Sequence, residues 1–244
     1  MTGLLMIQLT TGVWVARGER DQWLRADAHP YDRAAATALP RRRAEEFLAS
    51  RALLRHLLRA TLPHQADSPI HAGAHGRPVL AGHPHTGISI SHDGDTVAVA
   101  VAVGRQVGVD VQQPPDHTPD PLLRRILGTH APQVRALPEP HRSTELAWVW
   151  TAQEACVKAA GTGLSGRPWT IDIPPCRHRG RWNDYRWISL RDHSRTPLSC
   201  SYTALPHPAQ HLPQPRTRSH PSDRHQPGHP PVPPDAGPRE DPCT

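Results

Sequence analysis

The sequence predicts an α+β fold built as two helix-and-strand halves, residues 1–112 and 113–205, followed by a Pro- and His-rich tail at 206–244. Three observations lead to that expectation. The segment 39–62 carries apolar residues near helical spacing, a second helix is bounded by Ser143 and Gly161, and residues alternating with period two follow the first of them. The order of blocks, helix then strands then helix then strands, belongs to the α+β class rather than to a chain alternating strand and helix throughout. Aliphatic residues nearly vanish after 206, where twelve of the 29 prolines and five histidines fall in the last 39 residues. Such a composition buries too little apolar surface to offset the entropy of ordering, so the tail is expected to be disordered.

Each element follows from its own residues. In "LPRRRAEEFLASRALLRHLLRATL" (39–62), Phe47, Leu48, Leu54, Leu57 and Leu58 line one side of a helix whose arginines recur at Arg51, Arg55 and Arg59. A loop containing "HGRPVL" leads into "GISISHDGDTVAVAVAVGRQVGVDVQ" (87–112), where Asp93-Gly94 marks a tight turn. In "TVAVAVAV" the valines share one face and Ala98, Ala100 and Ala102 the other. This is a strand buried on both sides, its small-residue face open to a close neighbour. After the "GRQ" turn, Val107, Val109 and Val111 point one way, and Gly108 and Asp110 the other. Proline clusters at 114–121 and 138–140 bracket a short helix, "LLRRILG". A longer helix runs from Ser143 to Ala160 and stops at Gly161. "RWISLRDHSRTPLSCSYTAL" reads as two closing strands around a turn.

Composition restricts the functional classes. The net charge of +6 and a pI near 9.8 favour acidic partners: a nucleic acid, a polyanionic small molecule or an acidic protein. Cys156, Cys176, Cys200 and Cys243 form no CxxC pair, and "MTGLLMIQL" lacks the basic start and apolar length of a signal peptide. No stretch approaches the roughly 20 apolar residues of a membrane span. These features read as a cytoplasmic chain with free thiols.

The chemistry concentrates in "WTAQEACVKAAGTG" (150–163), which holds Lys158, the single lysine among 28 basic residues. Trp150, Glu154 and Lys158 follow at four-residue spacing and so line one stripe of the helix. For an arbitrary Glu-Lys pair that spacing means a solvated ion pair. Here it stands with "HGRPVL…ISISHDGDTVAVAVA" and "VGVDVQ", in that order. Together the stretches resemble the 4'-phosphopantetheinyl transferases, specifically the Sfp-like class that activates carrier proteins of polyketide and nonribosomal peptide biosynthesis. That family shows a Gly-basic-Pro loop, a Ser-His turn, a Gly-hydrophobic-Asp strand, and a helix beginning Trp-x-x-Lys-Glu-Ala with a further lysine four residues after the glutamate. Each motif alone is weak, but four in order over roughly residues 40 to 165 are specific.

The resemblance implies two similar α+β halves in a pseudo-twofold arrangement, with a coenzyme A cleft between them in a monomer. It implies a Mg²⁺-dependent transfer of the phosphopantetheine arm of coenzyme A to a serine of an acidic acyl or peptidyl carrier protein, with 3',5'-ADP leaving, and no nucleic-acid or membrane partner. Asp110 and Glu154 match the metal carboxylates, and Glu154 also matches the residue that takes the serine proton. Lys158 matches the lysine that contacts phosphate and neutralises the leaving group. A compact ammonium on a flexible stem suits that task better than a planar guanidinium. Arg51 matches the arginine that binds the 3'-phosphate, Arg77 the basic residue of the Gly-basic-Pro loop, and Ser91 and His92 the pair that meets the nucleotide end of coenzyme A.

Two departures stand out. Gln112 occupies the place of a second metal-binding acid, and Gln153 that of the first motif lysine, where a phosphate-binding charge is missing. They raise an alternative, a family member that binds coenzyme A without efficient transfer. A basic nucleic-acid-binding protein accounts for the charge but not for the motifs, and no DNA-binding motif is present. A zinc protein is suggested by the 18 histidines, yet their spacing fits no ligand pattern with the cysteines.

Overall fold

Alternation around Thr11-Gly12 folds the N-terminus into a hairpin, Leu5–Thr10 (β1) and Val13–Glu19 (β2), with Gly12 taking the positive φ of +76° that the turn requires. Two short helices, Arg20–Leu24 (α1) and Pro30–Ala36 (α2), precede the long helix Arg41–Thr61 (α3). The ribbon Ile70–Ala72 (β3) and Pro78–Leu80 (β4) leads to Thr86–Asp93 (β5), Thr96–Val103 (β6) and Val107–Val111 (β7). Then follow Asp120–Leu127 (α4), Ala131–Arg135 (α5), His141–Ala160 (α6), Arg179–Trp182 (β8), Tyr185–Ser189 (β9) and Leu198–Thr203 (β10). The structure is a computed structural model and describes residues 3–73 and 76–204. The expectation of a disordered tail lies outside the described residues.

The strands form two four-stranded antiparallel sheets, ordered β1-β2-β6-β5 and β7-β10-β9-β8. The α+β class is therefore as the sequence predicts. Strand β7, counted with the first half when read from the sequence, hydrogen-bonds to β10 and belongs to the second sheet.

The two faces of β6 meet different partners. Val97, Val99 and Val101 pack with Leu53, Leu54, Leu57 and Leu58 of α3. Ala98, Ala100 and Ala102 pack with Val13 and Val15 and with Val107, Val109, Val111, Leu198 and Cys200 of the second sheet. Methyl groups on one side allow the sheets to approach closely, and branched side chains on the other fill the space under a helix. A third apolar cluster joins α4, α5 and α6 to Ile171, Ile173 and Trp187. Helix α6 thus lies between that cluster and the second sheet. It ends where Gly161, at φ +72°, donates its N–H to the Lys158 carbonyl at 3.1 Å.

One buried ion pair fixes the first half. Arg55 on α3 grips the Asp32 carboxylate of α2 with Nε and Nη2, and donates Nη1 to the Ala66 carbonyl at 2.6 Å and the Ser68 carbonyl at 3.2 Å. Both side chains are almost wholly buried. Removing one partner strands the other charge, so Asp32→Ala is expected to destabilise the protein by about 3–5 kcal/mol. Denaturant melts check this, and a loss below about 1 kcal/mol would mean that Arg55 is held by the carbonyls alone.

Candidate active site

Strands β5 and β7 are the facing edges of their sheets, and serines of β5 occupy the backbone donors of β7. Ser89 Oγ accepts the Val109 N–H at 3.0 Å, and Ser91 Oγ accepts that of Val111 at 3.3 Å. The Ser91 hydroxyl then donates to Asp110 Oδ1 at 2.8 Å. At 6% exposure, Asp110 is a buried carboxylate that needs partners to stay charged.

Helix α6 supplies them because Gly108 lets it approach. A Cβ at position 108 would lie 2.2 Å from the Ala155 carbonyl oxygen and 2.4 Å from the Ala159 nitrogen, so the helix backbone rests on the bare strand. Two residues along the same face of β7, Asp110 meets Lys158, whose Nζ lies 2.5 Å from Oδ1 and 3.0 Å from Ser91 Oγ. One turn earlier on α6, Glu154 Oε1 is buried without a hydrogen-bond partner. Burial first, and then the charge of Asp110, pushes the Glu154 carboxyl up to about 6 against a weaker opposing pull from Lys158.

That shift has a stability consequence. A carboxyl raised from 4.5 to about 6 on folding holds its proton more tightly in the folded state. Stability therefore falls as pH rises from about 4.5 through 6, and the loss persists above that. Glu154→Gln is expected to be more stable than the parent at pH 7, with the difference shrinking to nothing near pH 4.5. Melts of both proteins across this range check it, and a pH-independent difference would contradict the assigned proton.

Glu154 and Lys158 line a cavity of about 240 Å³ together with Arg77, Ser89, Ile90 and Gly161. Arg77 and Gly161 also line a larger, more polar cavity of about 840 Å³, with His83, His85, Arg105, Gln106 and Tyr185. One turn before Glu154 on the same stripe of α6, Trp150 lines an apolar cavity of about 350 Å³ with Gln112, Trp169 and Leu122.

Of the residues singled out in the sequence, Ser91, Asp110, Glu154 and Lys158 are brought together, with Arg77 beside them. Arg51 and His92 do not line the cavity that holds Glu154 and Lys158. The Arg51 guanidinium lies 4.9 Å from the Phe47 ring centre with Nε and Nη1 buried and unpartnered, and burial pushes its pKa down to about 10. His92 Nδ1 lies 4.0 Å from Glu46 Oε2.

The two departures look different in three dimensions. Gln153 is 1% exposed and donates its amide to the carbonyls of Ile126 at 2.9 Å and Ile171 at 2.8 Å. The position thus faces the core of the second half, so glutamine there ties α6 to its neighbours and removes no charge from the site. Gln112 lies on the Asp110 face of β7 and donates Nε2 to Asp93 Oδ2 at 2.8 Å. Asp93 also accepts the Gln113 N–H at 2.6 Å, a carboxylate that sequence reasoning took only for a turn residue.

The donor set fits a divalent cation of the Mg²⁺ kind. Among the described residues no group of three or more His, Cys, Asp or Glu side chains is arranged to hold a metal alone. Asp110 and the orphaned Glu154 oxygen offer two carboxylates, the charge of Asp110 adding to the cost of ionising Glu154, and Mg²⁺ is commonly held by one or two carboxylates with water and substrate phosphate completing the octahedron.

Comparison with known proteins agrees with this architecture. The profile of the 4'-phosphopantetheinyl transferase superfamily matches residues 106–212, and that of the 4'-phosphopantetheinyl transferase N-terminal domain matches residues 31–102. The chain belongs to the 4'-phosphopantetheinyl transferase family. Among curated proteins it is similar to the 4'-phosphopantetheinyl transferase AcpT of Escherichia coli O157:H7 and of Escherichia coli strain K12. Each is 34% identical over 136 residues, covering 54% of this chain and 63% of the relative, so the match spans less than two thirds of their length. Among the described residues no helix is long and apolar enough to cross a membrane.

Proposed function

We propose that this chain transfers the 4'-phosphopantetheine arm of coenzyme A to a serine of an apo carrier protein and releases 3',5'-ADP. The observation that carries the reading is the meeting of Asp110, Glu154, Lys158 and Ser91 at the seam of the two sheets, beside a cavity bordered by Arg77. Carboxylates, a single mobile ammonium and basic walls are the groups a pyrophosphate displacement needs.

In this reading the carrier serine oxygen attacks the phosphorus that bears pantetheine. The new O–P bond forms as the bond to the nucleotide phosphate breaks, and the serine proton passes to Glu154. In the metal-free protein burial raises the Glu154 carboxyl to about 6, which leaves it ionised at neutral pH and more basic than an ordinary carboxylate. Lys158 and Arg77 supply positive charge where the leaving phosphate gains negative charge. The unpartnered nitrogens of Arg51 are suited to a terminal phosphate of the nucleotide, and His92 to its edge. Mg²⁺, held by Asp110 and Glu154, would neutralise the pyrophosphate and polarise its phosphorus.

The N-terminal profile match over residues 31–102 supports the Sfp-like subtype, in which one chain supplies both halves and works as a monomer. The net charge of +6 suits an acidic acyl or peptidyl carrier domain of polyketide or nonribosomal peptide synthesis, met in the cytoplasm. A second reading, coenzyme A binding without efficient transfer, draws on Gln112, where a carboxamide stands in place of an acid. Calorimetry with coenzyme A, paired with chromatographic detection of 3',5'-ADP after adding apo carrier and Mg²⁺, separates the two. Binding together with nucleotide release supports transfer, and binding alone supports the second reading.

A further inference from the structure

Lys158 is committed to Asp110 in a way that phosphate contact does not explain. Its Nζ lies 2.5 Å from Asp110 Oδ1, the same oxygen that accepts the Ser91 hydroxyl at 2.8 Å. One turn away Glu154 Oε1 has no partner. Two carboxylates and one ammonium leave the cluster one charge short of neutral, and the lysine side chain, 29% exposed, borders the cavity shared with Arg77.

We infer that Lys158 is the counter-ion of Asp110 in the metal-free protein, and that it swings from Asp110 into the Arg77 cavity when a divalent cation binds between Asp110 and Glu154. Charge forces the exchange. An added dication turns the cluster from net negative to net positive, so the ammonium is repelled from the oxygen it held into the cavity that its side chain already borders. Its four-carbon stem allows the move, whereas Ser91 is fixed by the Val111 N–H and continues to orient Asp110. Ser91 is on this account a positioning residue, and metal loading is what frees the lysine for phosphate. The inference rests on the proposed metal-dependent reading of the site.

The single lysine makes a direct test possible. Protein labelled with ¹³C-lysine carries one Cε signal, from Lys158. Titrating Mg²⁺ is expected to move that signal toward the position it takes in Asp110→Asn without metal. Independently, Lys158→Met, freed of a competing charge-assisted contact, is expected to bind Mn²⁺ about tenfold more tightly than the parent by electron paramagnetic resonance. The labelled parent keeps the test independent of how well the variants fold. A static Lys158 signal while Mn²⁺ is seen to bind, Mn²⁺ affinity in Lys158→Met no higher than in the parent, or no Mn²⁺ binding by either protein would each overturn the inference. If carrier modification in Mg²⁺ proceeds with a static lysine, the exchange fails while the transfer reading stands.

Discussion

Glu154→Gln is expected to lower transfer by at least 10²- to 10⁴-fold at saturating Mg²⁺ and coenzyme A, the usual cost of losing a general base. The amide is nearly the same shape and removes both the proton acceptor and one of two metal carboxylates. It also relieves the charge that Asp110 presses on this position, so the variant should be well folded at neutral pH, and lost activity cannot be assigned to unfolding. Single-turnover rates with apo carrier protein, run beside thermal melts, check both halves of the statement. A variant within about tenfold of the parent would leave Glu154 a structural residue and Asp110 without its metal partner.

Gly108→Ala is expected to lower transfer by about 10²-fold by a different route. The added methyl would fall 2.2 Å from the Ala155 carbonyl oxygen, 2.4 Å from the Ala159 nitrogen and 2.9 Å from Lys158 Cβ. Two of these are helix backbone, which cannot rotate aside, so α6 must lift from β7. Overpacking of this kind costs about 1–3 kcal/mol. The same displacement carries Glu154 and Lys158 away from Asp110, and a misplacement of about 1 Å can cost about 10²-fold in rate. Transfer should therefore fall more than the population of folded protein does. Equal losses in the two would mean that the close packing serves stability alone.

How far the sequence could be read depended on whether a feature is local. The alternation in 96–103 and the "VGVDV" strand identify their faces directly, because neighbouring residues on a strand point opposite ways. The end of helix α6 follows from the glycine at 161, which takes the left-handed cap. The four residues at the heart of the site were visible as motifs, but their mutual contacts were not. Ser91 reads as a nucleotide contact, and its hydrogen bond to Asp110 was hidden because the seam between two sheet edges pairs β5 with β7 across residues 19 apart. The Asp32–Arg55 pair was equally hidden, since nothing in two charges 23 residues apart reveals that both become buried. Gln153 was misread as a lost phosphate ligand, and its place on the inner side of α6 depends on α4 and the segment around Ile171. The hairpin of β1 and β2 was within reach, through apolar alternation on either side of Thr11-Gly12.

The most direct measurement is the intact mass of a purified apo carrier protein after incubation with this protein, coenzyme A and Mg²⁺. The account predicts a gain of one phosphopantetheine group, absent when the carrier's acceptor serine is alanine and strongly reduced with Glu154→Gln. An unchanged mass for apo carriers of both polyketide and nonribosomal peptide type, when another transferase modifies the same preparations, would contradict it.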